Sequence, residues 1–210
     1  MVVGGAFASG SQEPAEAGAA ESYSFDVANA LTPEHTHSQA LAEFAAELER
    51  LTEGRITAEV FNNGQLGGER VAMEQVQLGA TALTRTGHAV LTNLIPEMEL
   101  FGLPYLFDDV DEMVSALDGE LGEYLTTRMR EEGLVVLGWF DYGARSVLAT
   151  RPVRTPEDMA GLRIRVQSSP IEARAFEVFN AAPVNLPFTD LYSALDSGVI
   201  DAVENGPDTL

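Results

Sequence analysis

Strand-like and helix-like hydrophobic patterns alternate along this 210-residue chain, and that alternation is the strongest constraint on its fold. The segment Tyr23–Val27 alternates apolar and polar side chains, as a short strand does, and Ile56–Val60 repeats that period of two. Between them, apolar residues recur at three- and four-residue spacing from Leu41 to Leu51, which predicts an amphipathic helix. Because the alternation continues to a last predicted strand at Val199–Val203, we expect an α/β protein with mixed, mostly parallel sheets.

The predicted strands fall into two groups, one before and one after residue 135. We therefore expect a first α/β lobe over residues 23–135 and a second over residues 136–210, with a cleft between them. Near the join, the continuous apolar run Leu134–Phe140 has the pattern of a strand that is covered on both faces. Upstream of it we predict a buried, non-helical connection over Met98–Phe107 and one long amphipathic helix from Val110 to Leu125.

The charge balance excludes several classes of partner. The chain carries 33 acidic and 12 basic residues, a formal net charge of −21, and every basic residue is Arg. So acidic a surface repels phosphate groups, and we expect neither nucleic acid nor anionic lipid as a partner. No stretch approaches the roughly 20 apolar residues that cross a bilayer. Residues 1–22 are rich in small and polar residues after a short apolar start, so we expect a flexible leader or the remnant of a signal peptide.

The familiar sequence signatures of enzymes are missing from the chain. It contains no Walker loop, no GxGxxG, no GxSxG and no HExxH. His35 and His37 are two residues apart, and on a helix that spacing places side chains on different faces, so we do not expect them to share a metal ion. No acid–base pair stands out among the 33 carboxylates. We therefore predict that the protein is not an enzyme and has no cofactor and no metal site.

One predicted strand in the second half carries an unusual pair of charges. In Leu162–Val166, Arg163 and Arg165 are two residues apart and share one face, while the apolar residues take the other face. Both arginines cannot be buried without partners, so we expect one to reach solvent and the other to point into the cleft. A planar guanidinium matches the carboxylate of a ligand, although the spacing alone is equally consistent with an internal salt bridge.

Five segments, taken in order, resemble one protein family. They are Gly64–Arg70 (GQLGGER), Gln75–Gly79 (QVQLG), Leu103–Phe107 (LPYLF), Pro156–Val166 (PEDMAGLRIRV) and Leu191–Asn205 (LYSALDSGVIDAVEN). From Tyr23 to its end the chain resembles the DctP-type solute-binding proteins of TRAP transporters. Each segment alone is weakly specific, and their shared order carries the resemblance. Members of the family are longer, which implies that a C-terminal portion is missing here.

The resemblance implies a two-lobed fold like that of periplasmic binding proteins, with the ligand held by its carboxylate. It assigns ligand contacts to a pair of arginines, an amide, an aromatic side chain and, more loosely, two residues of the first lobe: Arg165, Arg145, Asn205, Phe188, Asn29 and Glu69. Asn205 is also consistent with a turn residue before Gly206, and Phe188 with ordinary core.

The implied function is that of an exported receptor in the periplasm or another extracytoplasmic compartment. Such a receptor would bind a C4-dicarboxylate, a sugar acid or a 2-oxo acid and deliver it to the TRAP membrane subunits, with no membrane span of its own. A ligand-sensing domain of a signalling protein would use the same pocket. An enzyme on a similar scaffold would use carboxylates of the cleft as acid and base, and both alternatives stay open.

Overall fold

A computed structural model describes residues 2–4 and 21–206, which form two sheets. The first sheet contains β1 (Val2–Gly4), β2 (Tyr23–Ala28), β3 (Ile56–Phe61), β4 (Leu83–Arg85) and β5 (Val135–Gly138), arranged in the order β3-β2-β4-β1-β5. Strand β2 pairs in parallel with β3 and β4, whereas β1 lies antiparallel between β4 and β5. The sheet is therefore mixed, and β2, β3 and β4 form its parallel part.

Helices connect the strands of this first sheet. They are α1 (Thr36–Leu51), α2 (Glu69–Gln77), α3 (His88–Leu91), α4 (Val110–Leu117) and α5 (Glu120–Glu131), with a 3-10 helix at Pro96–Gly102. The largest core cluster of the lobe draws side chains from α2, α3, α5 and the 3-10 helix, and it includes Met73, Val76, Leu91, Met98, Leu125 and Met129. Burial of these apolar faces is what fixes the helices against one another.

The second sheet contains β6 (Ser146–Ala149), β7 (Arg163–Val166), β8 (Ala182–Asn185) and β9 (Ala202–Asn205), in the order β6-β9-β7-β8. Strand β7 is parallel to both β8 and β9, and β6 is antiparallel to β9. Helices α6 (Pro170–Glu177) and α7 (Leu191–Asp196) and 3-10 helices at Pro156–Met159 and Phe188–Asp190 complete the lobe. Strands β9 and β7 are therefore the two central strands of this sheet.

Local sequence explains where several helices begin. Ser169 caps α6, because its hydroxyl accepts from the backbone N–H of Glu172 at 3.2 Å. Thr155 and Asp158 form a capping box at the start of the 3-10 helix that precedes β7. The two capped helices flank β7, which carries Arg165.

Residues 139–145 connect the two sheets, and the N-terminus of α1 holds this crossover. His37 Nε2 donates to the carbonyl of Asp141 at 2.9 Å, and its ring stacks on Phe140 with the centroids 4.5 Å apart. His35 precedes the helix as its cap, and its Nδ1 accepts from the backbone N–H of His37 at 3.1 Å. The two rings lie only 4.8 Å apart, so the expectation that they face different ways is wrong, because His35 lies outside the helix.

The predicted two-lobed α/β architecture with mixed, largely parallel sheets is confirmed, but the position of the join is not. Strand β5 belongs to the first sheet, so the crossover follows Gly138 rather than residue 135. The expectation that this strand is covered on both faces is also wrong. Val135 and Leu137 remain 38% and 54% exposed among the described residues.

Three further expectations need correction. The long helix predicted from Val110 to Leu125 is two helices, α4 and α5, because the chain turns at Asp118 and Gly119, where the extended backbone of Gly119 (φ −112°, ψ −150°) interrupts the helix. The connection Met98–Phe107 is partly a 3-10 helix, and it ends exposed, with Tyr105 99% accessible. Within the predicted leader, Val2–Gly4 form strand β1, and residues 5–20 lie outside the described residues.

Candidate ligand-binding site

A cavity of about 190 Å³ lies between the two lobes. The first lobe contributes residues near the N-termini of α2 and α3, the crossover contributes Trp139 to Gly143, and the second lobe contributes side chains of β7, β9 and the segments beside them. Four of the six residues that sequence analysis singled out from the family resemblance lie together in the second-lobe wall: Arg145, Arg165, Phe188 and Asn205. The fifth, Glu69, lies in the first-lobe wall.

Arg165 is a buried cation in the wall of this cavity. It is 4% exposed, and its Nε donates to the backbone carbonyl of Leu186 at 2.9 Å. Within residues 21–206 no carboxylate lies at ion-pair distance from its guanidinium. Burial therefore lowers the pKa of Arg165, since desolvation disfavours the charged form. A buried guanidinium with only a carbonyl as partner is a strong attractor for an anion.

Arg163, two residues earlier on the same strand, has the opposite environment. Its side chain is 45% exposed and forms a two-pronged ion pair with Asp201, with Nε–Oδ2 and Nη2–Oδ1 distances of 2.8 and 2.5 Å. The expectation that one arginine of the strand reaches solvent while the other faces the cleft is confirmed. Arg163 is the exposed first residue of β7, and Arg165 is the one of the two that lines the cavity between the lobes.

Arg145 lies in the cavity wall but is bonded to protein groups. Its Nε and Nη2 bind the carboxylate of Glu204, with Nη2–Oε1 at 2.9 Å. With the amide of Gln167 oriented to satisfy both partners, Gln167 Oε1 also accepts from Nη1 and Nη2 at 3.2 and 2.9 Å. Burial alone would lower the pKa of Arg145, but the hydrogen bond and the negative charge of Glu204 outweigh it, so the pKa is raised above its ordinary value. The charge of this second arginine is already balanced.

Asn205 and Phe188 complete the second-lobe wall. Asn205 is 5% exposed, and its Oδ1 accepts from the backbone N–H of Gly206 at 3.0 Å. The amide nitrogen is then the group left to donate toward a ligand. Phe188 begins the 3-10 helix after β8 and presents an apolar ring to the same cavity.

The two first-lobe residues have different positions. Glu69, the first residue of α2, lines the cavity but pairs with Arg85 and accepts from the backbone N–H of Gly87 at 3.2 Å. Asn29 does not line the cavity. Its Nδ2 donates to Ser38 Oγ at 2.7 Å and to Asn62 Oδ1 at 2.8 Å, so the amide joins α1 to the end of β3. Asn29 therefore stabilises the packing of the first lobe and does not form part of the cavity wall.

Arg85 is a wall residue that sequence analysis missed. It is 2% exposed, pairs with Glu69, and its guanidinium carbon lies 4.6 Å from the centroid of the Tyr142 ring. The feature of the sequence that could have indicated this position is an arginine between Thr84 and Thr86, in a segment that ends at Gly87. A strand of three residues has no measurable period, so the charged position was not recognised as buried.

Polar contacts also join the two lobes beside the cavity. His88 Nε2 lies 3.1 Å from Glu172 Oε1, which connects the start of α3 to the first turn of α6. Nearby, Ser169 Oγ donates to Glu99 Oε2 at 2.6 Å. Burial alone would raise the pKa of Glu172, but the contacts with His88, Arg145 and the backbone N–H of Gln167 bring it below its ordinary value. The lobes therefore meet through a charged group that is enclosed between them.

Within the part of the chain that the structure describes, no group of three or more His, Asp or Glu side chains is arranged to hold a metal ion. Among residues 2–4 and 21–206, no helix is both long and apolar enough to cross a membrane.

Comparison with known proteins identifies the family. Residues 27–210 match the family model described as DctP, bacterial extracellular solute-binding protein, family 7. The chain belongs to the DctP family. The family predicted from the five ordered segments is thereby confirmed, and the cavity between the lobes is the candidate ligand site of a DctP-family protein.

Individual relatives agree with this assignment. A solute-binding protein of Chromohalobacter salexigens is 33% identical over 174 residues, which cover 82% of this chain and 52% of the relative. Among solved structures, a TRAP periplasmic solute-binding protein of Sulfurospirillum deleyianum with bound succinate is 34% identical with a TM-score of 0.87, covering 90% of this chain and 62% of that one. A second, from Xanthobacter autotrophicus with bound β-D-galacturonate, is 36% identical with a TM-score of 0.82, covering 86% and 61%. The chain spans about half the length of the curated relatives that it matches.

Proposed function

We propose that this DctP-family protein is the extracytoplasmic receptor of a TRAP transporter and binds a small organic acid through its carboxylate. The observation that carries the proposal is Arg165, a guanidinium that is 4% exposed, lines the interlobe cavity and has no acidic partner at ion-pair distance among the described residues. A charge buried in this way is costly unless an anion pairs with it. A ligand carboxylate is the anion that fits a planar fork in a site of this size.

The neighbouring groups have supporting roles in the proposal. Asn205 donates its amide N–H to the same carboxylate, and Phe188 packs against the guanidinium and excludes water from it. Arg145, whose charge is balanced by Glu204, forms one side of the site. Glu69 acts through Arg85 rather than on the ligand directly, since both of its oxygens are bonded to protein groups.

Binding and release would follow from closure of the lobes about the crossover at residues 139–145. The bound acid bridges the second-lobe wall and the first-lobe wall, and the closed form then presents the ligand to the TRAP membrane subunits. No step of this cycle makes or breaks a covalent bond, so the protein is a binding protein and not an enzyme. Comparison with relatives that are named as periplasmic solute-binding proteins supports this reading.

A thermal-shift screen with a library of organic acids tests the proposal. Acids of one class should raise the melting temperature of the wild-type chain, and Arg165→Ala should abolish the shift, because loss of a buried charge partner weakens binding by about 30-fold or more. Arg163→Ala is the matched control, since Arg163 lies on the same strand but faces solvent and Asp201. Equal stabilisation of the wild type and Arg165→Ala would contradict the proposal.

A further inference from the structure

Three side chains in the first-lobe wall of the cavity each hold a buried polar atom that forms no hydrogen bond within residues 2–4 and 21–206. These atoms are Nε of Arg85, Oγ1 of Thr86 and Nε2 of His88, and the three side chains are called the first-lobe cluster below. Arg85 ends β4 and His88 begins α3. Arg85 and Thr86 are only 2% and 0% exposed. Because buried polar groups nearly always have a partner, we expect a bound molecule to supply the partners of this cluster.

Neighbouring carboxylates do not satisfy the first-lobe cluster. Glu69 accepts from Nη1 of Arg85 with one oxygen and from the backbone N–H of Gly87 with the other, which leaves Nε of Arg85 without an acceptor. Glu172 Oε1 lies 3.1 Å from His88 Nε2, but neither atom is hydrogen-bonded within the described residues. The cluster thus offers a ligand a guanidinium N–H donor, a hydroxyl that donates or accepts, and an imidazole nitrogen.

The charges around the first-lobe cluster favour an uncharged partner. The ion pair with Glu69 balances the positive charge of Arg85. Asp141 also lines the cavity, and Glu172 lies against His88. A second carboxylate on a ligand would meet these negative groups without an uncompensated cation. Hydroxyl or carbonyl oxygens would bond to the same cluster without adding a charge.

Arg165 and the first-lobe cluster belong to different lobes and line the same cavity. They are therefore placed to contact different ends of one ligand. The cavity measures about 190 Å³, and a protein cavity of about 150 Å³ is large enough to hold a benzene molecule. The space accommodates one acid built on a single ring or a short chain, with its carboxylate at Arg165 and its other end at the first-lobe cluster.

We infer that the first-lobe cluster selects the far end of the ligand and that this end carries uncharged oxygens, so the ligand is a hydroxylated monocarboxylate. The inference rests on the proposed function, which places the carboxylate at Arg165. A hydrocarbon acid would leave the three side chains of the cluster without partners after water is expelled. A dicarboxylate would place its second charge near Glu69 and Asp141. A site built to bond a hydroxyl group strongly rejects an analogue that lacks it.

Calorimetric titration of the purified chain at neutral pH with five matched acids tests the inference. D-gluconate and D-galacturonate are the hydroxylated probes. Hexanoate and cyclohexanecarboxylate are their hydrocarbon counterparts, and D-glucarate is D-gluconate with a second carboxylate at the far end. We expect the tighter hydroxylated probe to bind at least about 100-fold more tightly than its hydrocarbon counterpart and at least about tenfold more tightly than D-glucarate. Trp139, the single tryptophan of the sequence, lies in the wall, so its fluorescence provides a second readout of occupancy.

The outcomes separate this inference from the function on which it rests. Tighter binding of a hydrocarbon acid or of D-glucarate, lost in Arg165→Ala, would overturn the inference and leave the receptor proposal standing. Binding of a hydroxylated probe that survives Arg165→Ala unchanged would contradict the receptor proposal itself. No binding of any of the five acids would count against both.

Thr86→Val tests the first-lobe cluster directly, because it removes a buried hydroxyl with little change of shape. Affinity for the tighter hydroxylated probe should fall about tenfold or more. The melting temperature without ligand should stay the same or rise, since the hydroxyl has no partner to lose among the described residues. Thr92→Val is the matched control, a buried threonine outside the cavity wall whose hydroxyl donates to the carbonyl of Ala89 at 2.9 Å. It should lower the melting temperature and leave the affinity unchanged.

Two results with Thr86→Val would overturn the assignment of the first-lobe cluster. One is an affinity for the hydroxylated probe equal to that of the wild type. The other is a lower melting temperature together with equal losses of affinity for the hydroxylated probe and its hydrocarbon counterpart, which would show that Thr86 has only a structural role.

Discussion

Arg145 and Glu204 form a two-pronged ion pair beside the cavity, at the point where β6 begins and β9 ends. Nη2 of Arg145 lies 2.9 Å from Glu204 Oε1 and 3.1 Å from the backbone carbonyl of Glu204. The antiparallel register that pairs Ser146 with Asn205 brings these side chains together, although 59 residues separate them in the sequence. Burial raises the pKa of Glu204, and the contact with Arg145 opposes that shift. The pair thus keeps one of the two second-lobe arginines neutralised.

Glu204→Gln should destabilise the fold. The substitution leaves the largely buried Arg145 without its anion, and we expect the free energy of unfolding to fall by about 3 kcal/mol. Urea denaturation followed by circular dichroism measures the change. The double variant Arg145→Met/Glu204→Gln removes both charges and should recover most of the loss. A double variant as unstable as the single one would show that the charge imbalance is not the cause.

Sequence patterns predicted the parts of this fold that are long enough to show a period. Strands β2 and β3 and helix α1 were placed closely, and the different environments of Arg163 and Arg165 followed from strand geometry and the cost of burying charge. The short strands β4, β6 and β8 span three or four residues each, and so few residues show no periodicity. Arg85 was missed together with β4.

Pairings across the sheets could not be predicted from local pattern. The contact between Arg145 and Glu204 depends on the register of β6 and β9, and the contact between Arg85 and Glu69 depends on how α2 packs beside β4. Sequence analysis, helped by the family resemblance, therefore identified residues that line the cavity, but not which of them are already bonded to protein groups. That distinction is what singles out Arg165.

Glu172→Gln should weaken the contact between the lobes. Glu172 is 5% exposed and meets His88 across the interface, so an amide loses a charge-assisted contact, and we expect the free energy of unfolding at pH 7 to fall by about 1–3 kcal/mol. Because the folded state holds the pKa of Glu172 below its ordinary value, this stability is present above that value and is lost as the pH falls through the lower, folded-state pKa. The variant should therefore show a flatter acid limb in denaturation measured from pH 3 to pH 7. An unchanged acid limb would contradict this role.

The lowered pKa of His37 gives the free energy of unfolding a second pH dependence, at higher pH than that due to Glu172. Burial, followed by the positive charge of Arg85, lowers the pKa of His37 from its ordinary 6.5 to about 4. The unfolded chain then binds a proton that the folded chain does not, so stability is greatest above pH 6.5 and falls as the pH drops toward 4. We expect a loss of about 1.5 kcal/mol over that window, which allows for partial screening by solvent.

His37→Gln is the variant that tests this dependence. Its amide can still donate to the carbonyl of Asp141, but it does not titrate. The profile of unfolding free energy against pH should therefore lose its slope between pH 6.5 and pH 4, while the acid limb below pH 4.5 due to Glu172 remains. A variant with the wild-type slope in the upper window would rule out His37 as its source.

The last prediction concerns Gly122, in the first turn of α5, where the chain packs closely against the end of α4. A methyl group at Gly122 would overlap the backbone carbonyl of Leu117, and a backbone atom cannot move aside as a flexible side chain can. Gly122→Ala should therefore lower the free energy of unfolding by about 2 kcal/mol or more, as overpacking does. It should also shift the cavity wall, because Leu117 lines the cavity and ends α4. Gly138→Ala is the control, since no atom described by the structure lies within 4 Å of the added methyl position, and its stability should stay near that of the wild type. Equal melting temperatures for Gly122→Ala and Gly138→Ala would show that α5 can move away from the end of α4 without cost.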